Sequence, residues 1–116
     1  DGLALFMDVV APGEPLLDTW LQSLELLRDP SHVRNGTLAE WKATLASLGF
    51  AVGEVATYKL RLEFGAWIER MQTPDVHVAA IRSLQRRAPA EVKDYFALED
   101  DGSFTIDSAL IVARPV

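Results

Sequence analysis

The chain has 116 residues, a formal net charge of −6, 49% hydrophobic residues and 24% charged residues. That apolar share suffices for one packed domain and excludes a disordered tail. The acidic balance repels phosphate and argues against nucleic acid and anionic membranes as partners. The absence of cysteine excludes disulfides and thiolate zinc sites and agrees with a cytoplasmic location. No apolar run approaches the ~20 residues of a membrane span. No basic segment followed by an apolar one marks a signal peptide.

Asp1-Gly2 is a turn signal that leads at once into an apolar run over residues 3–10, broken only by Asp8. Such a run predicts a strand buried on both faces, as found inside parallel sheets. A start of this kind, without an initiator methionine, is the pattern expected of a segment cut from a longer chain. Residues 15–28 predict a helix, with Pro15 in its first turn and Leu17, Trp20, Leu21, Leu24 and Leu27 on one face. A polar loop follows over residues 29–36, where Asp29 is placed to cap a turn begun by Pro30.

Thr37-Leu38-Ala39-Glu40 spells a capping box. The helix it opens runs to Leu48, with Leu38, Trp41, Leu45 and Leu48 inward and Gly49 as its stop. Residues 50–62 predict a strand with a weak break at Gly53-Glu54. Helices are expected over residues 64–72, from the Thr73-Pro74-Asp75 restart to before Pro89, and over residues 90–96. The second of these carries Val76, Ala79, Ala80, Ile81 and Leu84 as its apolar positions. Asp101-Gly102 signals a turn into a last strand over residues 103–113. The later strands suit an antiparallel pair at the edge of the same sheet. No repeat or linker divides residues 1–116, which read as one unit.

These residues resemble the second half of small-molecule methyltransferases of class I, which use S-adenosylmethionine. In that family a glycine-containing turn leads into the fifth strand, here Asp1-Gly2 and then residues 3–10. A long helix and a loop of the form Arg28-Asp29-Pro30-Ser31-His32-Val33-Arg34 follow. Then come Glu40-Trp41 near a helix start and Gly49-Phe50 after its end. The resemblance covers nearly the whole chain. It implies an α/β fold, the C-terminal half of a Rossmann-like sheet, with one buried parallel-type strand, helices and two terminal antiparallel strands. Nothing matches the cofactor half: the 7 glycines form no glycine-rich phosphate-type loop. Residues 1–116 therefore read as the substrate-side part, with no cofactor-binding residue of their own and the N-terminal half absent.

The loop is the foremost candidate site. Methyl transfer needs the acceptor aligned behind the methyl group in a dry pocket. A base that takes the acceptor's proton assists it. His32 is the candidate base, and Arg34 the candidate clamp for a substrate carboxylate or enolate. In the plainer reading, Asp29 caps a turn, His32 is a solvated loop residue and Arg34 pairs with a surface acid. Asp29, Ser31 and His32 include the residue types of a hydrolytic triad, but sequence neighbours do not reach that geometry and no nucleophile elbow is present.

Asp8, late in the first strand, is placed at the carboxyl end where α/β sheets bind ligands. A hydrogen bond to a helix N-terminus is the alternative. Trp20, Trp41, Trp67 and Met71 are candidates to line a substrate pocket, foremost Trp67 and Met71 on a helical insert, set against the commoner role of such aromatics in a core. The 2 histidines lack paired ligand spacing, so no metal site is expected. Arg82, Arg86 and Arg87 read as a solvated face.

Two functions follow. The first is part of a methyltransferase acting on a small molecule, inactive or weakly active as this segment. The second is a self-associating binding or dimerisation module that reuses half of the fold. Both expect a partner for the first strand, a second copy of the chain or the missing N-terminal half.

Overall fold

Three strands and five helices alternate along residues 2–116, the residues that the computed structural model describes. Asp1, half of the opening turn signal, lies outside them. The first apolar run forms β1 (Ala4–Val10), followed by α1 (Pro15–Arg28), α2 (Leu38–Ser47) and β2 (Phe50–Leu62). The helices α3 (Phe64–Arg70), α4 (Asp75–Arg86) and α5 (Ala90–Tyr95) precede β3 (Phe104–Pro115).

The strand order is β1-β3-β2, and both neighbours run antiparallel to β3. The two later strands thus pair as their pattern predicts. β1 and β2 share one direction on either side of β3. Asp8 stands opposite Ala109, and Val10 opposite Asp107. Among the described residues the other edge of β1 has no partner strand. Burial of β1 is accordingly concentrated at its carboxyl end, where Val10 is enclosed while Leu5 and Met7 are each 67% exposed. The break at Gly53-Glu54 is a register shift between Val52 and Val55.

Side chains alternate across the strands and divide the core in two. On one face Phe104 and Ile106 of β3 pack with Trp20, Leu21 and Leu24 of α1 and with side chains of α3, α4 and α5. On the other, Val10, Ala109 and Ile111 pack against Leu45 of α2, with Phe6 and Trp41 alongside. Each large side chain fully buried this way contributes about 2 kcal/mol. Trp67 meets Phe104 edge to face at 5.1 Å between ring centroids, and Trp20 lies 4.9 Å from Phe96.

Local chemistry fixes the helix ends. Both halves of the capping box form: the Glu40 amide donates to Thr37 Oγ1 at 3.1 Å, and the Thr37 amide to Glu40 Oε1 at 2.9 Å. Gly49, at φ +90°, supplies the left-handed residue that ends α2. Three expectations are corrected. Leu48 is 68% exposed rather than inward, since it caps α2 beyond the reach of the sheet. Thr73 does not cap α4; its hydroxyl donates to the Arg28 carbonyl at 2.9 Å, which ties α4 to the end of α1. Val76 and Leu84 of α4 face solvent, and Gln85 is buried instead. The Gln85 amide Nε2 donates to the Gly102 carbonyl at 2.9 Å, so burial leaves this polar group satisfied.

Candidate functional site

The loop after α1 is shaped by short polar side chains. Asp29 Oδ1 accepts from the Ser31 amide at 3.0 Å and the Ser31 hydroxyl at 2.7 Å, and the His32 amide donates to the Asp29 carbonyl at 2.9 Å. These bonds hold the Asp29 carboxyl below the usual carboxylate range, the Ser31 side chain contributing most. The turn sends the chain back along α1 until Ala11 donates to the Gly36 carbonyl at 2.9 Å. Ala11 and Thr37 then form a parallel bridge that fastens the loop to the end of β1.

A polar network joins this loop to α1. His32 Nε2 lies 2.9 Å from Gln22 Oε1 and 3.3 Å from Glu25 Oε2. Gln22 Nε2 donates to Asp18 Oδ1 at 2.8 Å, and Gln22 Oε1 accepts from the Asn35 amide at 3.3 Å. The Asn35 side-chain amide donates to Glu25 Oε2. Glu25 is buried, and that burial raises its carboxyl above the ordinary value, with His32 opposing the shift. Arg34 Nη2 sits 2.7 Å from Asp18 Oδ2 and its Nη1 3.0 Å from Glu40 Oε1. The hydrogen bonds to Glu40 and Asp18 push the guanidinium further up.

Between this loop, α2 and the carboxyl end of β1 lies a groove of about 460 Å³, lined among others by Asp8, Val33, Arg34, Glu40 and Trp41. The structure thus brings Asp8 and Arg34 to one place. Asp8 Oδ1 accepts from the Val9 amide at 2.8 Å. His32 turns onto α1 behind the loop, and Asp29 is engaged with Ser31. Trp67 is 3% exposed and packed in the core, where the Arg28 guanidinium lies 4.8 Å from its ring centroid. Met71, just past α3, is 41% exposed and does not line the groove.

Sequence reading missed Glu25 and Gln22. The only signal was position: Glu25 follows Leu21 by four residues and therefore falls on the buried face of α1. Glu40 was legible as part of a helix start but not as a groove wall, whereas Trp41, one of the aromatics weighed between pocket and core, does line the groove.

The groove offers an indole face, a carboxylate and a guanidinium already shared by two acids. It can hold a small, partly aromatic molecule and accept a proton or hydrogen bond at Asp8. The turn from β1 into α1 carries no glycine-rich loop of the kind that cradles a nucleoside cofactor. It has one glycine, Gly13, and the Glu14 carboxylate already caps α1 by accepting from Leu17 at 3.1 Å.

Comparison with known proteins places this geometry. No family model matches the chain. It is 46% identical over 113 residues to the uncharacterised protein YafE of Escherichia coli, covering 97% of this chain and 55% of YafE. It is 35% identical over 98 residues to the uncharacterised methyltransferase YcgJ of Bacillus subtilis, covering 84% of this chain and 39% of YcgJ. The crystal structure of YcgJ superposes with a TM-score of 0.89 at 33% identity, over 97% of this chain and 50% of that one. The chain is related to methyltransferases. A second methyltransferase candidate, BH2331 of Bacillus halodurans, superposes with a TM-score of 0.92 at 28% identity, over 99% of this chain and 52% of that one. The chain spans about half the length of the relatives it matches, 55% of YafE and 50% of the YcgJ structure. No helix of the described residues is long and apolar enough to cross a membrane.

Proposed function

We propose that this chain is the substrate-side part of an S-adenosylmethionine-dependent methyltransferase that acts on a small molecule in the cytoplasm. The observation that carries the reading is the groove itself. It lies at the carboxyl end of β1, where α/β sheets gather ligands, and unites Asp8 and Arg34 with the Trp41 indole. The cofactor would supply the methyl group; the residues of this chain hold and orient the acceptor. Arg34, fixed by Asp18 and Glu40, steers a polar substituent of the acceptor rather than a full counter-charge. Asp8 receives the acceptor's proton or hydrogen bond. His32, held on α1 behind the loop and not in the groove wall, positions the loop through Nε2 and leaves Nδ1 free of Gln22.

A chimera in which residues 2–116 replace the matched stretch of YcgJ tests this reading. It should bind S-adenosylmethionine, and Asp8→Asn should lower turnover while leaving cofactor affinity unchanged. Tight S-adenosylmethionine binding by the 116-residue chain alone, or a folded chimera with no affinity, would overturn it.

The second reading, a self-associating module, draws on β1. Its unpaired edge and its exposed Leu5 and Met7 are features that a second copy could cover. Sedimentation at rising concentration separates the two: a stable dimer without transferase activity in the chimera favours the module.

A further inference from the structure

Across the Ala11–Thr37 bridge from the first groove lies a second one of about 400 Å³. Its apolar wall comes from Val10, Ala11 and Leu38, and its polar wall from Thr57, Tyr95 and Asp107. The register of the sheet builds the polar side: Asp107 of β3 stands opposite Val10 of β1 and opposite Lys59 of β2. Lys59 Nζ lies 2.6 Å from Asp107 Oδ1, the Tyr95 hydroxyl donates to Asp107 Oδ2, and Lys59 rests over the Tyr95 ring at 5.3 Å. Lys59 is not among the residues of the groove wall, whereas Tyr95 and Asp107 are.

We infer that this second groove binds a small neutral or cationic molecule whose O–H or N–H group is received by the Asp107 carboxylate and the Tyr95 hydroxyl oxygen. With its proton committed to Asp107, the Tyr95 oxygen offers lone pairs. Each Asp107 oxygen uses one partner and keeps capacity for another. The Asp107 side chain is 21% exposed, shielded enough for a hydrogen bond there to discriminate. An anionic ligand would meet the Asp107 carboxylate. Burial and the Asp107 bond push the Tyr95 phenol up to about 12, so it stays protonated and keeps this arrangement at neutral pH. Binding here is independent of the transferase reading, because it needs no cofactor.

The test is amide-resolved NMR of the 116-residue chain titrated with benzyl alcohol, benzylamine and benzoate. Benzyl alcohol or benzylamine should shift the Ala11, Thr37 and Thr57 amides in a saturable way. Benzoate should bind roughly tenfold more weakly, and Asp107→Asn should weaken benzylamine by a similar roughly tenfold factor. Ala39→Trp fills the groove without touching the polar cluster and should abolish the shifts while the remaining spectrum stays folded. A preference for benzoate, or shifts that survive both Asp107→Asn and Ala39→Trp, would overturn the inference. So would the absence of any saturable shift at these amides.

Discussion

His32 Nε2 and Gln22 Oε1 stand 2.9 Å apart, and the rest of the Gln22 amide decides which of them donates. Gln22 Nε2 faces the Asp18 carboxylate, an acceptor only, and Gln22 Oε1 faces the Asn35 N–H, a donor only. The amide orientation is thereby fixed, and His32 must donate through Nε2. Neutral His32 should be the Nε2–H tautomer, read from its ring nitrogen shifts, and Gln22→Ala should weaken that preference, leaving Glu25 Oε2 at 3.3 Å as the remaining acceptor. A majority Nδ1–H form in the unsubstituted chain would contradict this and remove Nδ1 as a proton acceptor.

Glu25 carries a pH dependence. Its carboxyl, raised by burial, binds protons more readily in the folded state than in the unfolded chain, whose value is near 4.5. The contribution of such an acid to stability is full below the unfolded value and is lost as pH rises through the folded one. Glutamine keeps the shape and does not titrate. The melting temperature of Glu25→Gln relative to the parent chain should therefore move in favour of the variant as pH climbs from about 4.5 toward neutrality. A difference that stays flat, or moves the other way, would show that Glu25 is not held in a desolvated site.

Trp67 and Met71 separate core from surface within one segment. Trp67→Ala removes a ring packed against Phe64 and Phe104 and should cost about 3–5 kcal/mol in chemical denaturation. Met71→Ala should stay within about 0.5 kcal/mol. Equal effects would refute the packing described for α3.

Gly102 sits at φ +96°, where a Cβ would come 2.6 Å from Arg82 Nη1 and 2.8 Å from Phe64 Cδ1. Both the backbone and the neighbours resist a side chain. Gly102→Ala should destabilise by roughly 2 kcal/mol and loosen the Gln85 bond to the Gly102 carbonyl. A neutral effect on the denaturation midpoint would mean that the turn can relax.

Much of this was legible where the information is local. Thr37 and Glu40 lie three residues apart and satisfy one another, so the start of α2 could be read directly. Gly49 and the Gly53-Glu54 irregularity were readable for the same reason. The partner of β1 was not, because Asp8 and Ala109 are brought together only by the completed sheet. The site was legible in part. Asp8 and Arg34 were named separately and share a groove, while the Glu25–His32–Gln22 network was hidden because its acid sits among leucines. Gln85 was hidden too: its burial depends on a carbonyl far along the chain.

The strand in the middle of the sheet is made after both of its neighbours. Ser108 Oγ reaches the Asp8 carbonyl at 2.9 Å across a separation of 100 residues. Neither β1 nor β2 can pair with β3 while the ribosome is still translating the residues between. High contact order of this kind slows folding. During synthesis β1 and β2 lack the strand that joins them until residues 104–115 emerge. Termination before that point would leave β1 and β2 without the strand that joins them into one sheet.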